Sequence, residues 1–139
     1  MKFRTLIPRQ IGLLLSTILL TVASFALSAD PATAATYEVK MGADTGQTAF
    51  VPETVNIKPG DTVKWVMNKI PPHNVVFEGD KVPQGNKALA KEFSHQQFAY
   101  APGDSFKTTF PEDAPAGVYP YYCTPHRGAG MIGEVIVED

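Results

Sequence analysis

Apolar and polar residues alternate in short segments along residues 36–139, and proline and glycine separate these segments. Alternation with a period of two is typical of β-strands that have one face in a protein core. The segments lie at 37–41, 54–57, 62–67, 74–77, 105–110, 118–122 and 131–137. Turn residues at 58–61, 101–104 and 114–117 favour an antiparallel β-sandwich. One stretch, 86–93, predicts a short helix.

The last predicted strand but one has a pattern that orients its side chains. A period of two places Tyr119, Tyr121 and Cys123 on one face, and Pro120 and Tyr122 on the other. With Cys123 directed inward, Tyr122 is expected at the surface. Because Pro120 has no N–H for a strand ladder, this strand is predicted to lie at a sheet edge or to contain a bulge.

The first 35 residues have the composition of a targeting segment. Three basic residues precede an uncharged and mostly apolar stretch, 11–27, and small residues follow it. This order predicts a cleaved signal peptide of residues 1–35, cut after Ala35 or alternatively after Ala34. A membrane anchor is the competing interpretation, but hydroxyl residues dilute a stretch that is already shorter than the roughly 20 residues needed to span a bilayer.

Residues 36–139, the predicted mature chain, suit one domain with one core. They carry nine Lys and Arg residues against thirteen Asp and Glu residues, a formal charge of −4. This mildly acidic balance argues against nucleic acid as a partner. The acidic residues are scattered, so no run of like charge marks a docking patch. We expect a monomer.

The candidate chemistry lies near the C-terminus. Cys123, the only cysteine in the chain, is followed by His126 and Met131. A thiolate, an imidazole and a thioether within nine residues suit copper, because zinc, magnesium and calcium have little use for a thioether. His73 offers a second imidazole from a separate segment. Two histidines, one cysteine and a weak axial methionine are the donor set of blue-copper electron-transfer sites.

Each of these residues also has an ordinary structural interpretation. A single Cys is most often a small buried hydrophobic residue, and a Met that opens an apolar run is usually part of a core. The coincidence of four suitable donors favours the metal site, as does an odd cysteine in an exported chain. Asn74 is predicted to tie the two halves of the site together, and Pro125 has no N–H to bond the thiolate. His95 lacks such neighbours and is interpreted as a surface histidine.

Four motifs give the chain a resemblance to a known family. They are Val63-Lys64-Trp65-Val66, Pro72-His73-Asn74, Tyr121-Tyr122-Cys123 and Pro125-His126-Arg127-Gly128-Ala129-Gly130-Met131. With them, residues 36–139 resemble the plastocyanins, small blue-copper carriers of photosynthesis, and specifically the cyanobacterial form. Pseudoazurins share the length of the Cys-x2-His-x4-Met loop and are the alternative.

The resemblance implies an eight-stranded Greek-key cupredoxin sandwich. Its copper, which cycles between Cu(I) and Cu(II), would be bound by His73, Cys123, His126 and Met131. The implied electron donor is cytochrome f and the implied acceptor is photosystem I. The implied location is the lumen of a cyanobacterial thylakoid, with membrane contact only through these partners.

Docking sites also follow from the resemblance. Plastocyanins dock through an apolar patch around the loop histidine, which matches Pro72, Gly128 and Ala129 here. A second recognition area surrounds the tyrosine before the ligand cysteine, here Tyr122. Arg127, the only arginine in 36–139, is a further docking candidate, because it is a cation next to the exposed ligand.

The chain departs from the family pattern at Thr48, Met67 and Pro120, and it lacks the acidic runs of plant plastocyanins. Thr48 in place of a leucine makes the apolar patch less apolar, and the missing acidic runs argue against plant-like electrostatic docking.

Two other classes of function fit the sequence less well. An enzyme would need an open metal position for water or substrate. A copper-trafficking protein would be expected to have several Met or Cys-x-x-Cys ligands. The sequence has neither feature, so an electron carrier without enzymatic activity is predicted.

Overall fold

The computed structural model describes residues 33–139, which form a β-sandwich with one short helix. The strands are β1 Thr36–Met41, β2 Phe50–Val51, β3 Thr54–Ile57, β4 Thr62–Met67, β5 His73–Phe77, β6 His95–Ala99, β7 Ser105–Thr109, β8 Gly117–Tyr122 and β9 Ile132–Val137. The helix α1 is Lys87–Phe93, and two short 3-10 turns cover Pro83–Gly85 and Thr124–Ala129. The predicted all-β sandwich with one short helix is confirmed, with nine strands in place of about eight.

The strands form two sheets, in the orders β2-β1-β4-β7 and β3-β9-β8-β5-β6. The prediction of an antiparallel sandwich was wrong for two strand pairs, because β1 and β4 are parallel and so are β3 and β9. Between β1 and β4 the chain passes through β3 of the opposite sheet. A connection that crosses between the sheets, unlike a hairpin, can return a strand in the same direction.

Aromatic rings fill the space between the sheets. Alternation along β4 directs Val63, Trp65 and Met67 inward, and all three are almost fully buried. Trp65 and Tyr121 pack edge to face with their ring centroids 5.5 Å apart, a favoured arrangement for aromatic pairs. On β8 and at the residue after it the predicted inward face is confirmed, since Tyr119, Tyr121 and Cys123 are completely buried.

The helix α1 starts one residue later than predicted. Asn86 caps it, because the Asn86 Oδ1 atom accepts a hydrogen bond from the Leu89 N–H at 3.1 Å. The last turn ends at Ser94, whose hydroxyl donates to the Ala90 carbonyl at 2.6 Å. The Ser94 hydroxyl also accepts from the Phe77 N–H, so the helix is fastened to β5.

The interpretation of His95 as a surface residue was wrong. His95 starts β6 and is half-buried. Its ring stacks on Phe106 with the centroids 5.0 Å apart, and its Nε2 atom lies 3.0 Å from the Thr108 hydroxyl. Burial lowers the pKa of His95 from its ordinary value.

The expected position of Pro120 at a sheet edge or bulge was also wrong. Pro120 lies in β8, between β9 and β5 in the sheet order. It is tolerated because the pairing of β8 with β5 stops at Phe77 opposite Tyr121. Beyond that point the Pro120 carbonyl accepts from the Glu78 N–H at 2.9 Å, and no ladder donor is needed from Pro120.

Ala35, which directly precedes β1, is held in the fold by two hydrogen bonds of its backbone. Its N–H donates to the Asp61 Oδ1 atom at 2.7 Å, and its carbonyl accepts from the Thr62 N–H at 2.8 Å. Asp61 is only 5% exposed, and its other oxygen accepts from the Lys58 N–H at 2.9 Å. Both carboxylate oxygens therefore have donors.

The predicted signal peptide, 1–35, lies almost entirely outside the described residues, so its cleavage stays a prediction. Within residues 33–139, no helix has the length and apolar character to cross a membrane.

Candidate metal centre

Three chain segments converge at one end of the sandwich. His73 is the first residue of β5, Cys123 directly follows β8, and His126 lies in the 3-10 turn between β8 and β9. The connecting loop closes on itself, because the Cys123 N–H donates to the Met131 carbonyl at 3.1 Å and the Met131 N–H donates to the His126 carbonyl at 3.1 Å. Gly130 ends the turn with a φ of 85°, which favours glycine.

The side-chain donors of these segments point at one another. The Cys123 Sγ atom lies 3.5 Å from the Nδ1 atom of His73 and 3.5 Å from that of His126. The two Nδ1 atoms are 3.1 Å apart. Donors bound to one ion at about 2.0–2.3 Å must lie within about 4.6 Å of each other, and all three pairs do.

The tautomer of His73 leaves its Nδ1 atom free to bind a metal. The His73 Nε2 atom lies 2.6 Å from the Lys69 carbonyl. Since a carbonyl can only accept, Nε2 carries the proton and Nδ1 keeps its lone pair in the neutral ring. Burial lowers the pKa of His73 from its ordinary value, although the Lys69 carbonyl acts in the opposite direction. The hydrogen bond therefore selects the tautomer with Nδ1 free, and burial favours the neutral ring that can donate to a cation.

Cys123 is completely buried between the sheets. Burial raises the pKa of its thiol, and hydrogen bonds from the backbone N–H groups of Asn74 and His126 partly oppose that shift. A metal that binds here must displace the thiol proton, because the thiolate is the ligand form.

The donor set fits copper better than the other common metals. One sulfur and two imidazole nitrogens converge, and no carboxylate belongs to the cluster among the described residues. Calcium and magnesium prefer oxygen ligands, whereas thiolate and imidazole suit copper or zinc. Met131 is completely buried, and its backbone bonds to both Cys123 and His126 place it beside the cluster. A thioether among the ligands would favour copper over zinc.

Asn74 connects the two segments that carry the ligands. Its Oδ1 atom accepts from the Thr124 N–H at 2.8 Å, and its Nδ2 atom donates to the Thr124 hydroxyl at 3.1 Å. A third bond runs from Nδ2 to the Gln96 carbonyl at 3.3 Å. The side chain thus links β5, β6 and the loop. Pro125, at the start of the 3-10 turn, is exposed.

The predicted docking residues lie around the same end of the molecule. Gly128 and Ala129 are exposed, Pro72 is half-buried, and His126 is half-buried beside them. Tyr122 is half-buried on the outer side of β8, as its alternation predicted. The Arg127 guanidinium carbon lies 4.0 Å from the centroid of the Tyr122 ring.

Two residues that contact the predicted site residues His73 and Arg127 were not predicted from the sequence. Lys69 supplies the carbonyl that sets the His73 tautomer, and no side-chain pattern signals a backbone contact. Glu78 was missed because its partner Arg127 lies 49 positions further along the chain. The Glu78 Oε1 atom is 3.3 Å from an Arg127 guanidinium nitrogen.

Two imidazoles and one buried thiol at the end of a two-sheet sandwich define the class of blue-copper carriers, the cupredoxins. The chain belongs within it to the family described as copper binding proteins, plastocyanin/azurin family, which matches residues 37–138. A plastocyanin of Nostoc punctiforme is 51% identical over 138 residues, covering 99% of each chain. Other relatives of this chain are further cyanobacterial plastocyanins, so the predicted cyanobacterial type is confirmed.

Solved structures support the same fold. The oxidized plastocyanin of Dryopteris crassirhizoma has a TM-score of 0.63 and 27% identity, covering 73% of this chain and 100% of that chain. A pseudoazurin from Sinorhizobium has a TM-score of 0.54 and 30% identity, covering 76% of this chain and 75% of that chain. The longer and closer match to the Nostoc protein favours plastocyanin over pseudoazurin. The protein is a copper-binding electron carrier and not an enzyme.

Proposed function

We propose that this protein carries single electrons from cytochrome f to photosystem I in the thylakoid lumen of a cyanobacterium. Similarity to a cyanobacterial plastocyanin over 99% of both chains supports this reading. The partners and the compartment come from the resemblance. The leader, cut after Ala35 or after Ala34, would export the chain and then be removed, which agrees with the lumenal location.

The proposed copper ligands are His73, Cys123, His126 and Met131. Bound copper supplies a one-electron couple between Cu(I) and Cu(II). Around it, the Lys69 carbonyl holds the His73 ring in the donor tautomer, and the sandwich excludes water from Cys123. Ligands fixed by strands and by a self-bonded loop need little rearrangement between the two oxidation states, which favours fast electron exchange.

The proposed exit for the electron is the ring of His126. It is the half-buried member of the cluster, whereas His73 and Cys123 are fully buried. Pro72, Gly128 and Ala129 offer an apolar contact surface around it, and apolar contacts suit a short-lived complex. Tyr122 and Arg127 form a second recognition area on the outer side of β8.

The convergence of three donor atoms within 3.5 Å is the observation that carries this proposal. Its test is to add Cu(II) to the apoprotein and record the visible absorption spectrum. A strong blue thiolate-to-copper charge-transfer band is expected, and Cys123→Ser should abolish it. His95→Gln is the matched control, because this third histidine lies outside the cluster and its loss should leave the band in place. A Cys123→Ser protein that stays equally blue would overturn the assignment.

A further inference from the structure

Arg127 is held in one orientation by two contacts. Its guanidinium carbon is 4.0 Å from the centroid of the Tyr122 ring, within the range of a cation–π interaction. One guanidinium nitrogen is 3.3 Å from the Glu78 Oε1 atom. The Arg127 side chain is nevertheless 50% exposed, so the cation is both fixed and accessible to a partner.

Glu78 is itself rigidly placed. It directly follows β5, and its side chain is only 15% exposed. Its N–H donates to the Pro120 carbonyl, and its own carbonyl accepts from the N–H groups of Lys81 and Val82. The second carboxylate oxygen is 2.6 Å from the Lys81 ammonium. The carboxylate thus spans two cations, and the three charged groups together keep one positive charge.

We propose that Glu78 is a positioning residue for partner recognition, which holds the Arg127 guanidinium on the Tyr122 ring in the orientation that an acidic partner surface meets. This inference rests on the proposed docking role of Arg127. A long side chain that is free in solution loses rotamer freedom when a partner binds it, at a cost of order 0.5–1.5 kcal/mol, equivalent to about a two- to tenfold loss of affinity. Glu78 removes that cost before the partner arrives.

Two simpler roles for Glu78 predict different behaviour. If its contacts only added stability, Glu78→Gln would lower the free energy of unfolding and leave the affinity for the partner unchanged. If Glu78 only neutralised Arg127, its loss would strengthen attraction to an acidic partner, and salt would remove the gain. A positioning role predicts the opposite sign, a weaker complex in spite of the added positive charge.

The test compares Glu78→Gln with Glu112→Gln in copper-loaded protein produced from the full-length chain. Both variants remove one negative charge, and Glu112 is an exposed residue of the turn after β7. Flash-induced reduction of photosystem I particles, followed against protein concentration, gives an apparent affinity and a limiting rate. We expect Glu78→Gln to bind about two- to tenfold more weakly than Glu112→Gln. In an Arg127→Gln background, Glu78→Gln should have no effect beyond that of Glu112→Gln.

A structural readout accompanies the kinetics. In the NMR spectrum the Arg127 side-chain protons should be shifted upfield by the Tyr122 ring current. Glu78→Gln should remove this shift, whereas Lys81→Gln should keep it, because Lys81 touches only the other carboxylate oxygen. A retained shift in Glu78→Gln, or a kinetic effect that persists without Arg127, would overturn the inference.

Oxidation of the reduced wild-type protein by hexacyanoferrate(III) separates this inference from the proposed function. Failure of the wild type to exchange electrons with this small oxidant would contradict the carrier function itself. Normal exchange by the wild type, with Glu78→Gln and Glu112→Gln equal toward photosystem I, would contradict only the role of Glu78.

Discussion

Asn74 satisfies three hydrogen bonds at the junction of β5, β6 and the ligand loop. Asn74→Ala would leave the part-buried Thr124 N–H without its acceptor, so we expect a loss of about 1 kcal/mol in the free energy of unfolding. Copper should also bind about 10- to 100-fold more weakly, because groups that orient metal ligands act at that scale. Denaturant unfolding and competition with a copper chelator measure the two effects. Asn56→Ala, at an exposed position of β3, should change neither.

His95 gives the fold a dependence on pH. Its pKa is lowered in the folded protein, so below its ordinary value of 6.5 the unfolded chain takes up a proton more readily than the folded one. The free energy of unfolding should therefore fall with acid, with a slope below about 1.4 kcal/mol per pH unit, the value for one proton. His95→Gln should reduce the slope between pH 7 and pH 5. Identical slopes in the two proteins would mean that His95 titrates normally.

At the level of elements, the packing of β8 against β9 requires a residue without a side chain at Gly133. Tyr121 lies opposite Gly133 in the strand register, and a Cβ atom on Gly133 would come within 2.7 Å of the Tyr121 ring and hydroxyl. The ring cannot move away, because Phe50, Trp65 and Phe77 pack against it. Gly133→Ala should thus cost about 1–3 kcal/mol by overpacking, measured by thermal unfolding. Gly128→Ala, which meets no atom within 4 Å, should cost far less.

The elements that could be predicted from the sequence are those with clear alternation. β4 and β8 show this alternation, and the predicted bounds of both strands agree with the structure to within one residue. β2 has only two residues, and β6 begins with three polar residues directly after the helix, so neither has a local signal. The parallel pairing of β1 with β4 depends on the path of the chain between two sheets, which local patterns do not contain.

The candidate site was more predictable than the strands. The thiol, imidazole and thioether groups of Cys123, His126 and Met131 lie within nine residues of one another. His73 was predicted from its separate apolar segment and from the resemblance. The contacts that hold His73 and Arg127 in place were not predictable. The Lys69 carbonyl and Glu78 act through geometry that exists only after the sheets have packed.

For the molecule as a whole, the charges are scattered and only one guanidinium is present among the described residues, beside the proposed electron exit. In the proposed function, partner recognition would therefore combine a small apolar surface with a single oriented cation. A weakly charged surface of this kind suits rapid exchange between two partners, because neither complex becomes long-lived.

The bond between Ala35 and Asp61 links removal of the leader to the completeness of the fold. A cut after Ala35 would delete the donor and leave a buried carboxylate oxygen unpaired, a defect of about 1–3 kcal/mol or more. A cut after Ala34 would instead turn the Ala35 amide into an ammonium group and make the bond charge-assisted. We expect mass spectrometry of the exported protein to show Ala35 as its first residue, and a form that starts at Thr36 to unfold more easily. Cleavage by the signal peptidase would thus create a contact of the folded protein, an ion pair between the new Ala35 ammonium group and the buried Asp61 carboxylate.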